Sequence, residues 1–145
     1  MKELILALFL FISAETDYNT SNLEAPDIRF LPQIELDAKY TKESSPPGNE
    51  LFAFYDLKRD VIYLRDTWNI HSPWSKSVLL HELIHYVQDK NNIAFNCTAE
   101  MEQQAWPLQK KYLRQYHGVT WKYDELWYLL ISSCNEEYSS FSISK

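Results

Sequence analysis

The chain opens on one uninterrupted apolar run and then divides into short segments of β type and longer segments of helical type. Residues 28–31, 51–55 and 61–64 are rich in aromatic and β-branched side chains, which favour strands. Only five mostly polar residues separate the last two, so we expect a β-hairpin there. Apolar positions within residues 33–40 predict a short helix, and the Ser, Pro and Gly of residues 44–49 predict a loop.

The longest helical pattern begins after Ser72, which is suited to the N-cap, with Pro73 at the first helical position. We expect this helix to run to about Asn91. Its apolar residues form one continuous arc when they are placed about 100° apart around a helix axis. The arc consists of Leu79, Leu80, Leu83, Ile84, Tyr86 and Val87.

Two more helices are predicted. One runs from Thr98, as its N-cap, to Gly118, which suits the end of a helix, and Pro107 inside it should kink or break it. The other covers roughly residues 124–134. The predicted fold class is α+β: a small β-sheet with a hairpin is followed by three helices, within a single domain of residues 26–145.

The apolar run at the N-terminus has the features of an export signal. A basic residue precedes it, the run covers residues 4–12, and Ser13 and Ala14 offer a small residue for cleavage. We predict a signal peptide at residues 1–14, an exported protein (secreted or periplasmic) and a flexible segment at residues 15–25; an uncleaved N-terminal anchor is the alternative. The run is too short to span a bilayer, and we expect no membrane span in the mature chain.

The composition narrows the classes of partner. The chain has 145 residues, 46% of them hydrophobic, and a formal net charge of -6. It is long enough for one domain, and its charge argues against nucleic acid, which attracts clustered cations. We expect a monomer that binds no nucleic acid.

Cys97 and Cys134 are the only cysteines, and both a disulfide and two buried free thiols are compatible with their spacing.

The segment His-Glu-Leu-Ile-His that begins at His81 carries the clearest chemistry. On a helix, His81 and His85 lie one turn apart on one face, so both imidazoles can reach one ion. They fall outside the apolar arc, in a stripe with Ser77 and Gln88, and we expect this stripe to face a cleft or a loop. Zinc accepts imidazole nitrogens and in catalytic sites keeps one position open for water. Glu82 is suited to take a proton from that water as general base.

A catalytic zinc ion needs a third protein ligand, and the next helix offers Glu100 and Glu102. Glu102 lies on or beside the apolar arc of that helix, near Met101 and Ala105, whereas Glu100 lies on the opposite side. Burial of a carboxylate is costly unless it is paired or binds a metal. Glu102 is therefore the predicted ligand and Glu100 the alternative; a buried salt bridge is the other interpretation of Glu102.

The motif at His81, followed by Glu-Gln-Gln-Ala at Glu102, resembles the gluzincin pattern H-E-x-x-H … E-x-x-A. The resemblance covers roughly residues 51–109. It implies a minimal zincin-like fold, a Zn²⁺ ion held by the two histidines and Glu102, and hydrolysis of peptide bonds by zinc-bound water with Glu82 as general base. Many gluzincins carry an acid directly after the Ala, where this chain has Trp106.

The predicted function is therefore that of a zinc metallopeptidase acting on a peptide or protein. The alternative is a non-catalytic secreted zinc-binding or interaction domain, which a fourth protein ligand such as His71 would favour. His117 is predicted to stabilise the end of its helix as a cation. Tyr123 or Tyr128 could reach the cleft. Residues 61–64 could form an edge strand beside which an extended peptide binds.

Overall fold

The computed structural model describes residues 1–39 and 51–134, and the predicted loop at residues 44–49 lies outside them. Within the described residues the predicted α+β class is confirmed, and each predicted strand and helix is present to within a few residues. The elements in chain order are α1 (Lys2–Glu15), β1 (Asp27–Leu31), α2 (Gln33–Lys39), β2 (Ala53–Asp56), β3 (Val61–Arg65), α3 (Pro73–Lys90), a 3-10 turn (Thr98–Met101), α4 (Glu102–His117) and α5 (Glu125–Ile131).

Strand β3 is the central strand of the sheet. It pairs in parallel with β1 and antiparallel with β2, in the order β1-β3-β2. The expectation that residues 61–64 form an edge strand is therefore wrong, because β3 has a neighbour on each side. Within the described sheet the edge strand beside α3 is β2, which is buried along its whole length.

Helix α3 lies at the centre of the molecule and is buried on nearly all sides. Its start follows the prediction, since the Ser72 hydroxyl accepts a hydrogen bond from the backbone N–H of Ser75 at 3.2 Å. The predicted apolar arc lies in the main core. The polar stripe is buried as well, because α4 packs against it: His85 is 0% and Gln88 1% exposed. The expectation that this stripe faces a cleft or a loop is wrong for Ser77, His85 and Gln88, all of which are buried.

Helix α1, which contains the predicted export signal, belongs to the same core. Phe9 stacks on Tyr86 of α3 with 6.2 Å between ring centroids, and Phe11 meets Tyr112 of α4 edge-on at 5.5 Å. Cleavage of residues 1–14 stays a prediction, whereas the structure gives this helix a place inside the domain. Its buried residues are Ile5, Leu8, Phe9, Phe11 and Ile12.

None of the described helices is both long enough and apolar enough to cross a bilayer.

Residues 16–24, most of the segment predicted to be flexible, lie against α3. The backbone of Asn19 and the side-chain amide of Asn91 exchange two hydrogen bonds, of 2.9 and 3.0 Å. The Tyr86 hydroxyl donates to the carbonyl of Glu24 at 2.8 Å. These bonds connect the N-terminal segment to the helix that carries the two histidines.

Pro107 does not break α4, contrary to that part of the prediction, since the helix continues through it from Glu102 to His117. A proline has no N–H to donate to the carbonyl four residues before it, which here is that of Gln103. The Tyr128 hydroxyl donates to this carbonyl at 2.6 Å instead, so a side chain of α5 satisfies the group that Pro107 leaves unpaired. Gly118, with φ 64°, ends the helix as predicted. Thr98 is not the N-cap; it is the first residue of the 3-10 turn.

Cys97 and Cys134 form a disulfide, which decides between the two alternatives that their spacing left open. The bond joins the residue before the 3-10 turn to the chain just beyond α5. Nearby, the side-chain amide of Gln103 donates to the carbonyl of Ser132 at 2.9 Å. Helix α5 is thus attached to the start of α4 by one covalent bond and by hydrogen bonds.

We expect α1 to contribute to the stability of the full chain through its buried face alone. Ile12 is 0% exposed and Leu10 is 70% exposed, although both are apolar residues of the same helix. Ile12→Ala should lower the free energy of unfolding by about 2–5 kcal/mol, whereas Leu10→Ala should change it by less than about 0.5 kcal/mol. Urea unfolding of both variants tests this. Equal stabilities of the two variants would contradict the placement of α1 in the core.

Candidate metal centre

Three side chains from two helices converge at one point in the structure. His81 and His85 lie one turn apart on α3, and Glu102 is the first residue of α4. The Nε2 atom of His81 lies 3.0 Å from Oε2 of Glu102, and Nε2 of His85 lies 2.7 Å from Oε1. The three groups present ligand atoms that lie within 4.8 Å of one another. The arrangement is a possible metal-binding site.

The same three residues are largely buried, which is unusual for a group of polar and charged side chains. Glu102 is 1% exposed and His85 is 0% exposed, while the His81 side chain keeps 13% exposure. His85 Nε2 and Glu102 Oε1 are buried without a hydrogen-bond partner despite their proximity. Buried polar atoms are rarely left unsatisfied. A cation between the imidazoles and the carboxylate would satisfy both atoms, so the residues present fit a metal ion.

Hydrogen bonds fix the orientation of the His81 ring. The carbonyl of Trp74 can only accept, and the Ser77 hydroxyl donates to it at 2.7 Å. The Ser77 oxygen therefore accepts from the side-chain amide N–H of Gln109, at 3.1 Å. This leaves Oε1 of Gln109, 2.8 Å away, to accept from Nδ1 of His81. The proton of the neutral ring thus lies on Nδ1, and the lone pair of Nε2 points toward Glu102.

A second, independent set of hydrogen bonds does the same for His85. The Gln88 amide nitrogen donates to the carbonyl of Met101 at 3.2 Å and to Oε1 of Gln104 at 3.1 Å. The Gln88 oxygen is therefore the atom that faces Nδ1 of His85, at 3.1 Å, and it accepts the Nδ1 proton. Both imidazoles accordingly present Nε2 to the same point.

The charges of the site favour a cation between His81 and Glu102. Burial acts to lower the pKa of His81, but the Glu102 carboxylate outweighs it and raises this pKa to about 9. Burial acts to raise the pKa of Glu102, but His81 and His85 together lower it to about 2. Without a metal ion, a proton on His81 Nε2 balances the carboxylate. A metal ion at the same point would take the place of that proton.

Glu82 lies between α3 and the edge strand β2. It is 6% exposed. Burial raises the pKa of its carboxyl, against the opposing influence of His81 and His85, and Glu102 adds to the rise. The backbone of Tyr55 in β2 forms a hydrogen bond with the Glu82 carboxyl that acts to lower this pKa. The carboxyl is therefore close enough to sense all three members of the cluster, and it is anchored by the neighbouring strand.

A comparison of the chain with known protein families identifies the family to which it belongs. A domain of unknown function, DUF6647, matches residues 1–138. The chain belongs to the DUF6647 family. The matched range includes α1, the sheet, both histidines and Glu102, so the helix with export-signal features is part of the family domain. No curated protein and no solved structure matches the chain significantly.

Two predicted alternatives lie outside the cluster in this DUF6647 domain. Glu100 accepts hydrogen bonds from the backbone and the side-chain amide of Asn96, at 3.1 and 3.0 Å, and so serves the 3-10 turn. His71 is exposed in the loop before α3, where its backbone N–H donates to Asn69. Of the residues that the structure describes, neither belongs to the metal-binding group.

His117 and the two C-terminal tyrosines have structural contacts. Nε2 of His117 lies 3.2 Å from the Tyr112 hydroxyl, and burial together with Lys76 lowers the pKa of His117, which disfavours the predicted cationic role at the helix end. The Tyr128 hydroxyl donates a hydrogen bond to the backbone carbonyl of Gln103. Tyr123 packs edge-on against the ring of Trp106.

Two residues that orient the histidines, Gln88 and Gln109, were not predicted from the sequence. Gln88 was placed in the histidine stripe but given no role. Gln88 lies three positions after the predicted ligand His85, on the same side of the helix. A polar side chain at such a position can be recognised from the sequence as a hydrogen-bond partner of the ligand. Gln109 gave no such signal, because its partner is 28 residues away in sequence.

We expect metal binding by this DUF6647 domain to strengthen as the pH rises. The pKa of His81 is about 9 without metal, so near neutral pH the ion has to displace a proton from Nε2. For one displaced proton the apparent affinity should rise about tenfold per pH unit below that pKa. Calorimetric titration with Zn²⁺, in buffers of different ionisation enthalpy, measures both the affinity and the proton release. Glu100→Ala should behave like the parent, and an affinity independent of pH would contradict the role of His81.

Proposed function

We propose that this protein is a zinc-dependent metallopeptidase. The observation that carries the proposal is the buried group of two imidazoles and one carboxylate, each imidazole oriented by a glutamine, with two polar atoms left unsatisfied. Such ordered partners behind ligating histidines are typical of metal sites. A purely structural buried ion pair would not require both Nε2 atoms to converge on the same carboxylate.

The chemistry of the donor set supports zinc as the ion. Calcium and magnesium prefer oxygen ligands, whereas two imidazoles with one carboxylate are a common catalytic zinc set. Three protein ligands leave one position of a tetrahedral ion for water or substrate. Neither His71 nor another described His, Cys, Asp or Glu joins the group, which favours a catalytic ion over a closed structural one among the residues described.

The other residues of the site have roles that suit peptide hydrolysis. A zinc ion held by His81, His85 and Glu102 would act as a Lewis acid toward the peptide carbonyl and the attacking water. Glu82 would accept the proton of that water and then deliver it to the leaving amine. The raised pKa that burial gives Glu82 suits a group that both accepts and donates a proton. The hydrogen bond to the backbone of Tyr55 sets the Glu82 carboxyl next to β2.

Export and the nature of the partner rest on separate observations. The disulfide between Cys97 and Cys134 is compatible with an oxidising compartment. We therefore propose a protein that acts outside the cytosol on a peptide or protein. The low exposure of the site, 13% for the His81 side chain and 6% for Glu82, favours the second candidate, a non-catalytic zinc-binding domain.

Metal analysis of the full chain tests the ligand set. Purified without chelator, the parent should carry one zinc ion per chain. Glu102→Ala should lose it, since two histidines alone leave the site incomplete. Glu100→Ala, which removes a carboxylate only two residues away, should keep it. Retention of zinc by Glu102→Ala or absence of zinc from the parent would overturn the proposed site.

Substitution of Glu82 separates catalysis from metal binding. Glu82→Gln keeps the shape of the side chain but removes the base, so we expect one zinc ion per chain and hydrolysis of a peptide library slowed by at least about 100-fold. Circular dichroism of this variant controls for folding. Unchanged hydrolysis by zinc-loaded Glu82→Gln would refute the role of Glu82, and a zinc-loaded parent without any hydrolysis would establish the non-catalytic candidate.

A further inference from the structure

Trp106 makes a direct bond to the carboxylate of the cluster. It lies one turn after Glu102 on α4, and its indole Nε1–H donates to Oε2 of Glu102 at 2.6 Å. The acceptor is a carboxylate that is 1% exposed. Hydrogen bonds to a charged acceptor are short and strong, and burial removes the water that would compete with them. This bond is the only hydrogen bond that the described structure gives the Glu102 carboxylate from outside the histidine pair.

We propose that Trp106 is a positioning residue that sets the orientation of Glu102 as a metal ligand. This inference rests on the proposed metal site. The indole N–H takes up one lone pair of Oε2 and thereby fixes the rotation of the carboxylate. Oε1, which has no hydrogen-bond partner of its own, is left directed at His85. Without the indole, the Glu102 carboxylate could turn about its terminal torsion, because the described structure gives it no other hydrogen bond from outside the histidine pair.

The indole can act in this way because its own position is fixed on several sides. Trp121 stacks on it with 5.4 Å between centroids and 29° between planes. Tyr123 meets it edge-on at 4.9 Å, and Tyr128 lies at 5.9 Å. Trp121 in turn contacts Trp74 at the start of α3. The aromatic cluster thus spans α3, α4, α5 and the connection between the last two.

The bond also explains why a tryptophan is suitable at this position. An acid there, as in the pattern that the sequence resembles, would add a negative charge beside Glu102. The indole supplies a donor without any charge, and Gln109 supplies the acceptor for His81. The two histidines and Glu102 are therefore oriented by neutral groups, which leaves Glu102 and Glu82 as the acidic side chains of the described site.

A role in packing alone would need only the ring, so removal of the N–H distinguishes the two possibilities. Trp106→Phe keeps an aromatic ring in the cluster but removes the donor. Trp121→Phe is the matched control, because it keeps a ring that can pack on Trp106, and the described structure gives Trp121 no hydrogen bond to the three ligands. We expect Trp106→Phe to bind zinc about 10- to 100-fold more weakly than the parent, and Trp121→Phe to stay within about twofold. Competition with a chromogenic chelator measures the affinities.

Two further measurements on the full chain complete the test. The visible absorption of Co²⁺-loaded protein reports ligand geometry, and it should change in Trp106→Phe but not in Trp121→Phe. In the parent, the indole N–H proton of Trp106 should be protected from exchange with solvent in the zinc-loaded state, which NMR detects even if Trp106→Phe fails to fold. The same proton should lose its protection in Glu102→Ala and keep it in Glu100→Ala.

The outcomes separate this inference from the metal site itself. Equal zinc affinities of the parent and Trp106→Phe would overturn the role of Trp106 and leave the site intact. An equal loss in Trp106→Phe and Trp121→Phe, or rapid exchange of the Trp106 indole proton in the zinc-loaded parent, would also overturn it and assign the residue to packing. Absence of zinc from the parent would overturn both proposals.

Discussion

The contact between the polar stripe of α3 and the first turn of α4 is the constraint on which the rest of the structure depends. It places a carboxylate against two imidazoles in a region from which water is almost excluded. Such a group is costly to bury unless its charges are balanced. Gln109 and Gln88 orient the two histidines, and the histidines in turn balance the Glu102 carboxylate. The two helices cannot shift relative to one another without separating these partners.

The remaining elements hold this contact in place from both sides. Helix α1 and the sheet cover the apolar arc of α3, so that the opposite face is presented to α4. The disulfide and the bonds from α5 fix the start of α4, where Glu102 lies. Pro107 would normally weaken a helix at this point, but the Tyr128 hydroxyl compensates for the missing backbone bond.

Much of the fold and three residues of the candidate site could be predicted from local patterns. The strands, the cap at Ser72 and the spacing of His81 and His85 are properties of short segments, and the burial argument for Glu102 needed only its neighbours on one helix. The expectations that were wrong needed tertiary information. Whether a strand is central, whether a polar stripe is covered and whether Pro107 is compensated all depend on distant residues. The same limit applies to Gln109, whose partner lies on another helix.

The position of α1 has a consequence for the time course of synthesis. Its rings pack against Tyr86 and Tyr112, which a ribosome reaches only after most of the chain has been made. At typical rates of translation, of about 5–20 residues per second, the helix waits on the order of several seconds before its partners exist. During that interval its apolar surface is available to any other binding partner, including a translocation machinery or a chaperone. Helix α1 is made before the helices it packs against, so other partners can compete for its apolar surface before the domain has folded.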